Sequence, residues 1–396
     1  MNDQTVSIGD RLRNLRTERA LTQEGLAERS SVSVDLIKKL EQGKRESARL
    51  TTLAALANAL DVPLSHLMDK RPRLDDGGDR LVLGLRDALL SPTLLPGIDQ
   101  DDSGDPTPLR DLEAAVRHAW GAYWAGEFND LARTLPRLVA EARVTERSLG
   151  SQAAGLLAQA YQLTACLLVH LGRDDLAAVG AERALAVAGR GDDELQWATL
   201  YGTYGWVLLS QARYEEAERL AIRIAERIEP RFSSASEKHL TVWGGLVLWA
   251  MAAAVEGARG DAALDYISLA RMGAARMDRD RHDYEVNFGP TQVAMQTTYA
   301  YSVLGEPDRA LTAARDVHRE DLYTISYGRH LLDVAQAHTN SRHDALAVDV
   351  LHEAQALAPV WFRHQVLART LVAELRQRRA RLSAGLRDLV QSLGAV

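Results

Sequence analysis

The spacing of apolar positions changes character along the chain. In the first 68 residues, short apolar stripes at helical spacing follow one another closely. They are Ile8, Leu12 and Leu15; then Leu26 and Ala27; then Ile37 and Leu40; then Leu53, Leu56, Ala57 and Leu60. Each stripe predicts one short helix with a single buried face. Thr22 is placed to cap a helix over 23–30, and Ser33 one over about 34–42. Gly43 ends the second, since glycine accepts the left-handed geometry of a helix C-terminus. Ser31, Val32 and Ser33 form the break between them, where Ser31 is tolerable if its φ is negative. Val62–Leu67 reads as a short fifth helix. Two short helices across a tight turn are the pattern of a helix-turn-helix, whose second helix enters the DNA major groove.

Beyond residue 68 the pattern loosens, then becomes periodic on a longer scale. Asp69–Asp79 (DKRPRLDDGGD) reads as a linker, and 69–108 as a whole as a linker with one short helix, Arg80–Leu90. Over 109–358, long apolar-periodic segments alternate with breaks at Ala125–Phe128, Leu171–Asp174, Gln211–Tyr214, Arg259–Ala262, Leu304–Pro307 and Asn340–His343. No strand signal interrupts them. A break every ~36–48 residues is the period of a helical-hairpin array. In the third unit Gly205 marks a close helix approach, Tyr214 sits at the hairpin turn, Ala217 packs small in the second helix and Pro230 closes the unit. Ala177 and Ala310 take the place of Ala217 in other units. Residues 359–396 supply two further helices, whose leucines (371, 375, 382, 386, 389, 393) either cap the array or join two subunits. The fold class is therefore all-α: a five-helix head on a helical-repeat body.

Here the residues resemble known families. Leu21-Thr22-Gln23-Glu24, Leu26-Ala27, Val32-Ser33, Ile37 and the Glu41-x-Gly43-Lys44-Arg45 ending resemble the phage-repressor-like regulators of the XRE family, over roughly residues 7–68 of a DNA-binding domain set at 1–68. The resemblance implies an internal ion pair between Arg16 and Glu41; the plain reading of those charges is two solvated helix faces. It also implies that Gln23, Ser33, Gln42, Lys44 and Arg45 position the DNA backbone. Val34, Asp35, Lys38 and Lys39 would then face base edges, with Val34 toward a thymine methyl and Asp35 accepting from cytosine N4. The chain departs from the family at Glu46-Ser47-Ala48-Arg49, where many members have Asn-Pro. The third repeat unit resembles a tetratricopeptide (TPR) repeat. An XRE head on a TPR body resembles the quorum-sensing RRNPP regulators and the XRE–TPR regulators of actinobacteria. That resemblance puts Trp120, Tyr123, Gln159, Gln162, Trp206, Gln292 and Tyr299 on groove-facing positions, where aromatics and amides suit a peptide or small-molecule effector. Core packing is the alternative for each aromatic. Asn287 either grips such a ligand or caps the helix that Pro290 opens.

Charge sharpens this division. Residues 1–73 hold 13 Lys+Arg against 10 Asp+Glu, a net +3, so the rest carries −10 of the total −7. A mildly basic head on an acidic body fits a reader of discrete sites on double-stranded DNA. Cys166 is the only cysteine, which leaves no disulfide and no thiolate zinc site, and suits a reducing cytoplasm. There is no HExxH, phosphate loop or serine elbow, so no catalytic residue, metal or cofactor is expected. The charged run Arg279–Asp283 reads as a solvated loop, and the Arg376–Arg381 cluster as a solvated face. Leu240–Val255 is too short to span a bilayer and reads as a buried helix, so no membrane partner is expected. The expectation is a cytoplasmic homodimer on a pseudo-palindromic operator, regulated through its body. The alternative is a DNA-bound adaptor whose groove takes a partner protein.

Overall fold

The computed structural model describes residues 7–45, 48, 50–62, 67, 78–91, 104–378 and 383–393. The head holds α1 (Ile8–Glu18), α2 (Gln23–Ser30), α3 (Val34–Glu41) and α4 (Leu50–Ala59). The Thr22 hydroxyl accepts from Gly25 N–H at 2.9 Å and the Ser33 hydroxyl from Leu36 N–H at 3.3 Å, so both expected caps form. Gly43 is left-handed at φ +66°. Ser31 corrects the reading above: it ends α2 at φ +53°, not at negative φ. The tight reversal into α3 demands that conformation whichever residue fills it. Most of the expected fifth helix lies outside the described residues, as do Glu46, Ser47 and Arg49.

Helix α5 (Gly78–Leu90) does not hang in a linker. Leu85 and Leu89 are fully buried in the core of the body that follows. That body consists of six helical hairpins. They are α6 (Leu109–Ala125) with α7 (Phe128–Leu149), α8 (Ser151–His170) with α9 (Asp174–Ala188), and α10 (Glu194–Ser210) with α11 (Tyr214–Arg227). Then come α12 (Glu237–Glu256) with α13 (Gly260–Ala274), α14 (Pro290–Leu304) with α15 (Pro307–Ala313), and α16 (Thr324–Asn340) with α17 (Asp344–Leu357). All six expected breaks are the turns inside these hairpins. Each contains a left-handed residue: Gly126, Gly172, Ala212, Ala258, Gly305 and Arg342. The next N–H reaches back five residues, for example Arg173 to Leu168 at 2.9 Å and His343 to His338 at 2.9 Å. This is a Schellman closure repeated six times. Ala177, Ala217 and Ala310 are buried at equivalent places in the second helices.

The first helices of the hairpins pack side by side, and the series closes: α16 returns to pack against α6. At the seam, a side chain at Gly126 would meet Ile325 and Trp361 at 3.1 Å. One apolar core therefore joins residues 85–207 to residues 325–389. The six first helices form an inner ring and their partners an outer layer. Three short helices follow, not two: α18 (Pro359–Arg363), α19 (Val366–Gln377) and α20 (Ala384–Ser392). Leu371, Leu375, Leu386 and Leu389 are buried against the body, so within this chain they cap it. Leu382 and Arg379–Arg381 lie outside the described residues. Arg378 is not a solvated charge, because it pairs with Asp344 at 3.0 Å and also with Glu374.

The body also contains a β-hairpin that nothing in the sequence pattern announced. Strand β1 (Arg281–Asp283) pairs antiparallel with β2 (Val286–Phe288) through a two-residue tip, Tyr284-Glu285. Both tip residues are left-handed, at φ +53° and +62°. The hairpin explains why α12 carries Gly244 and Gly245. A side chain at Gly244 would lie 2.2 Å from the Phe288 ring, and one at Gly245 would lie 2.4 Å from Val286. The close approach at these glycines is to strand, not to helix. Gly205 is a second correction, since nothing lies within 4 Å of where its side chain would be. The close contact falls one turn earlier, at Gly202 against Trp249. Helices α8 and α12 are long and apolar enough to cross a membrane by length and composition, but both are mostly buried in this core.

Candidate nucleic-acid interface and inner-ring site

Helix α3 is held from three sides. Ile37 and Leu40 are buried in the head core with Leu12, Leu26, Leu53 and Leu56. Gly9 of α1 touches its backbone, and a side chain there would lie 2.0 Å from the Leu40 carbonyl oxygen. The third hold is ionic. Arg16 donates to both oxygens of Glu41, at 2.7 and 2.9 Å. Gln23 donates to Glu41 at 2.7 Å. Burial pushes the Glu41 carboxyl up, but the hydrogen bonds from Arg16 and Gln23 outweigh it, and the group sits below its usual range. Arg16 is raised, first by its hydrogen bond to Glu41. Such two-point guanidinium–carboxylate geometry fixes orientation as well as distance. The amide of Gln23 is thus engaged inside the head.

The opposite face of α3 is open. Asp35, Lys38, Lys39, Gln42, Lys44 and Arg45 are exposed, together with the Ser33 cap, and Val34 is half-buried. Asp35, Lys38 and Lys39 are tied to neighbours. Lys39 pairs with Asp35 at 2.6 Å, and Lys38 with Glu24 at 3.4 Å. Both pairs are solvated and therefore weak. A phosphate or base edge competes with them readily.

The residues expected to line a groove fall into three places. Trp120, Tyr123 and Trp206 meet around His170. The Tyr123 hydroxyl lies 3.2 Å from His170 Nε2, Trp120 is edge-on to Tyr123 at 5.4 Å, and Trp206 is edge-on to His170 at 5.1 Å. Gln162 donates to Thr203 at 3.0 Å, and Gln159 is half-buried nearby on α8. Farther round the ring, Tyr299 donates to Glu256 at 2.6 Å. Beside it Arg329 pairs with Asp333 at 3.3 Å, with the Asp333 side chain buried and the Arg329 side chain 42% exposed. Burial pushes Asp333 up to about 6 against the pull of Arg329. The Gln292 side-chain oxygen is buried with no partner among the described residues. Asn287 stands apart on β2, paired with His282 and donating to Ser326 at 3.2 Å.

Asn287 does not cap α14. Asp280 does, accepting from the Thr291 and Gln292 N–H groups at 2.8 and 2.7 Å. Asp280 is buried, which raises its carboxyl against those two bonds. The run Arg279–Asp283 is therefore not a solvated loop. Arg281 and Asp283 pair within the hairpin at 2.8 Å, and Arg281 also reaches Glu237 at 2.9 Å. Cys166 is buried and its thiol pushed up to about 12, as inert packing requires.

Sequence reasoning missed the residues at the hairpin tip. Trp124 of α6 donates to Glu285 at 2.5 Å and stacks on Tyr323 at 4.6 Å. Tyr284 donates to Asp193 at 2.5 Å, and Lys238 sits 4.2 Å above its ring. The tip thus ties α6, α10, α12 and the start of α16 together across the ring. Among the described residues, no three His, Cys, Asp or Glu side chains are grouped to hold a metal.

Comparison with known proteins bears on the head. A family model described as a helix-turn-helix domain matches residues 7–68. The HTH-type transcriptional repressor RghR of Bacillus subtilis (strain 168) is 41% identical over 70 residues, 18% of this chain and 52% of that protein. The match spans about half the length of that curated relative. The crystal structure of Bacillus thuringiensis PlcR in complex with the peptide PapR7 and DNA aligns with 69% of this chain and 100% of its own. Its sequence identity is 13% and its TM-score 0.28. Residues 7–68 are a helix-turn-helix domain.

Proposed function

We propose that the chain is a DNA-binding transcription regulator that works as a homodimer and is controlled by an effector bound within its body. The observation that carries this reading is the fixed α3. Its inner side is locked by Gly9, Glu41 and the apolar core, and its outer side presents Val34, Asp35, Lys38 and Lys39. In a dimer two such helices about 34–36 Å apart read successive major grooves of a pseudo-palindromic operator. Ser33, Gln42, Lys44 and Arg45 then flank α3 toward the phosphates. The relative RghR, a transcriptional repressor, fits this reading of the head.

Control from the body has a physical route. Glu256 receives the Tyr299 hydroxyl on its side chain, while its backbone oxygen accepts from Asn58 of α4 at 3.3 Å. Val366 of α19 packs on the head core. A peptide or small molecule that disturbs Tyr299 therefore disturbs the seat of the head. It shifts the balance only if it binds the two arrangements unequally.

Selection from random duplexes at low salt tests the head. A preferred, two-fold-related sequence is expected, and no preference at all sinks the reading. Lys44→Ala is expected to weaken every duplex alike and to lower the salt slope by about one. Native mass spectrometry of protein from its own host, with and without that duplex, tests the dimer and the effector.

A further inference from the structure

The hairpin tip is built around its side chains at the expense of its turn. A two-residue turn with both φ values positive favours Asn-Gly, because other residues are strained there. Tyr and Glu occupy it here. The Glu285 side chain is half-buried, and that burial pushes its carboxyl up against the donation from Trp124. Among the described residues that indole is its one hydrogen-bond donor. A half-buried carboxylate is poorly compensated by one neutral donor.

What lies beneath the tip is a wall of rings. Tyr123 is edge-on to Trp124 at 5.0 Å, Tyr323 stacks on it, and Trp120 stacks at 6.3 Å. The Trp120 indole N–H is buried and has no acceptor among the described residues. Two stacked indoles thus share one aromatic cluster, the donor of one satisfied by Glu285 and that of the other unsatisfied. Such a site selects an acceptor-rich acid joined to an apolar or aromatic group.

We propose that Glu285 occupies, from within the same chain, the position of a ligand's carboxylate, and that the effector is an acid joined to an apolar or aromatic group, whose carboxylate displaces the tip from Trp124. This deepens the effector reading above and rests on it. Displacement frees the strut between α6 and the hairpin. The ring then loses its link from Trp124 through β2 to α12, the helix whose last residue, Glu256, seats the head.

The test uses the full chain with Tyr284→Asn and Glu285→Gly together. This places the favoured Asn-Gly pair in the turn and removes both tip side chains. Three probes are titrated by tryptophan fluorescence and calorimetry. They are acetyl-Ala-Tyr-Glu-Val-amide, its Gln counterpart, and acetyl-Ala-Tyr with a free terminal carboxylate. At least one acid-bearing peptide is expected to bind the double variant tenfold or more tighter than the native chain, and tenfold tighter than the Gln peptide. Which acid wins tells a side-chain carboxylate from a terminal one. Adding Trp124→Phe is expected to abolish the acid preference. Equal binding of the acid and Gln peptides, equal binding to native chain and variant, or no binding at all overturns the proposal. Should the double variant fail to fold, Glu285→Ala is judged by the same tenfold ordering. Acid-selective binding that leaves DNA affinity unchanged keeps this proposal and removes effector control. Loss of duplex preference removes the head's reading without touching this one.

Discussion

The head and the ring hold their helices by opposite means. In the head the contacts span shorter stretches of chain: caps at Thr22 and Ser33, a left-handed Ser31, and the ion pair from Arg16 to Glu41, 25 residues apart. In the ring each hairpin is locally correct, yet its placement depends on a seam and a strut that join distant parts of the chain. Trp124 and Glu285 are 161 residues apart, and Tyr284 and Asp193 are 91 apart. Local devices fix what a helix is. Distant ones fix where it stands, and only these give an effector something to loosen.

The largest expected effect breaks the ring side of this contrast. Phe288→Ala empties a slot walled by Gly244 and Gly273 and is expected to cost about 3–5 kcal/mol. Segment-resolved hydrogen exchange should show faster opening across residues 237–304 with protection of α1–α3 unchanged; equal loss in the head would remove the distinction. Next, Glu41→Ala leaves Arg16 and Gln23 without their acceptor and should cost the head about 3 kcal/mol. Because the Glu41 carboxyl is depressed in the folded chain, its contribution is complete above its ordinary value of 4.5 and fades as pH falls through the lower folded value. An acid titration of native head protection, compared with the Ala variant, checks that sign.

Gly126→Ala sharpens the role of the seam. The left-handed φ of +80° costs about 1–2 kcal/mol, and the new methyl also meets Ile325 and Trp361. Thermal melts should place it well below Gly305→Ala, which bears the same backbone strain with nothing within 4 Å. If the two melt alike, the closure carries no energy. Smallest is Ser31→Gly, expected to stabilise the head by about 1 kcal/mol by relieving its left-handed serine. A melt of the variant that matches the native one would mean that Ser31 is not strained.

How much was legible follows the same line. Caps, stripes and the six turn positions could be read because each rests on neighbours in sequence, as Ala212 and Tyr214 illustrate. The Arg16–Glu41 pair was expected from resemblance and is present. The hairpin was illegible because its turn carries neither Asn nor Gly, so the usual mark of a two-residue reversal is missing. Asp280 was misread for a related reason: a charged run suggests solvent, and only the fold turns one of its members inward to cap α14. Gly205 and Gly202 lie on the same helix, and which of them meets Trp249 depends on helix rotation, which sequence spacing leaves open. Exposure of Lys38, Lys39, Lys44 and Arg45 followed from the buried positions of Ile37 and Leu40.

Closure of the ring also sets a schedule for synthesis. Helix α6 leaves the ribosome early, but the residues that cover its end at Gly126, Ile325 and Trp361, emerge 199 (325 − 126) and 235 (361 − 126) positions later. At ordinary elongation speeds that interval is on the order of tens of seconds. During it, the nascent chain carries an uncovered aromatic edge beside a head whose core still lacks Val366.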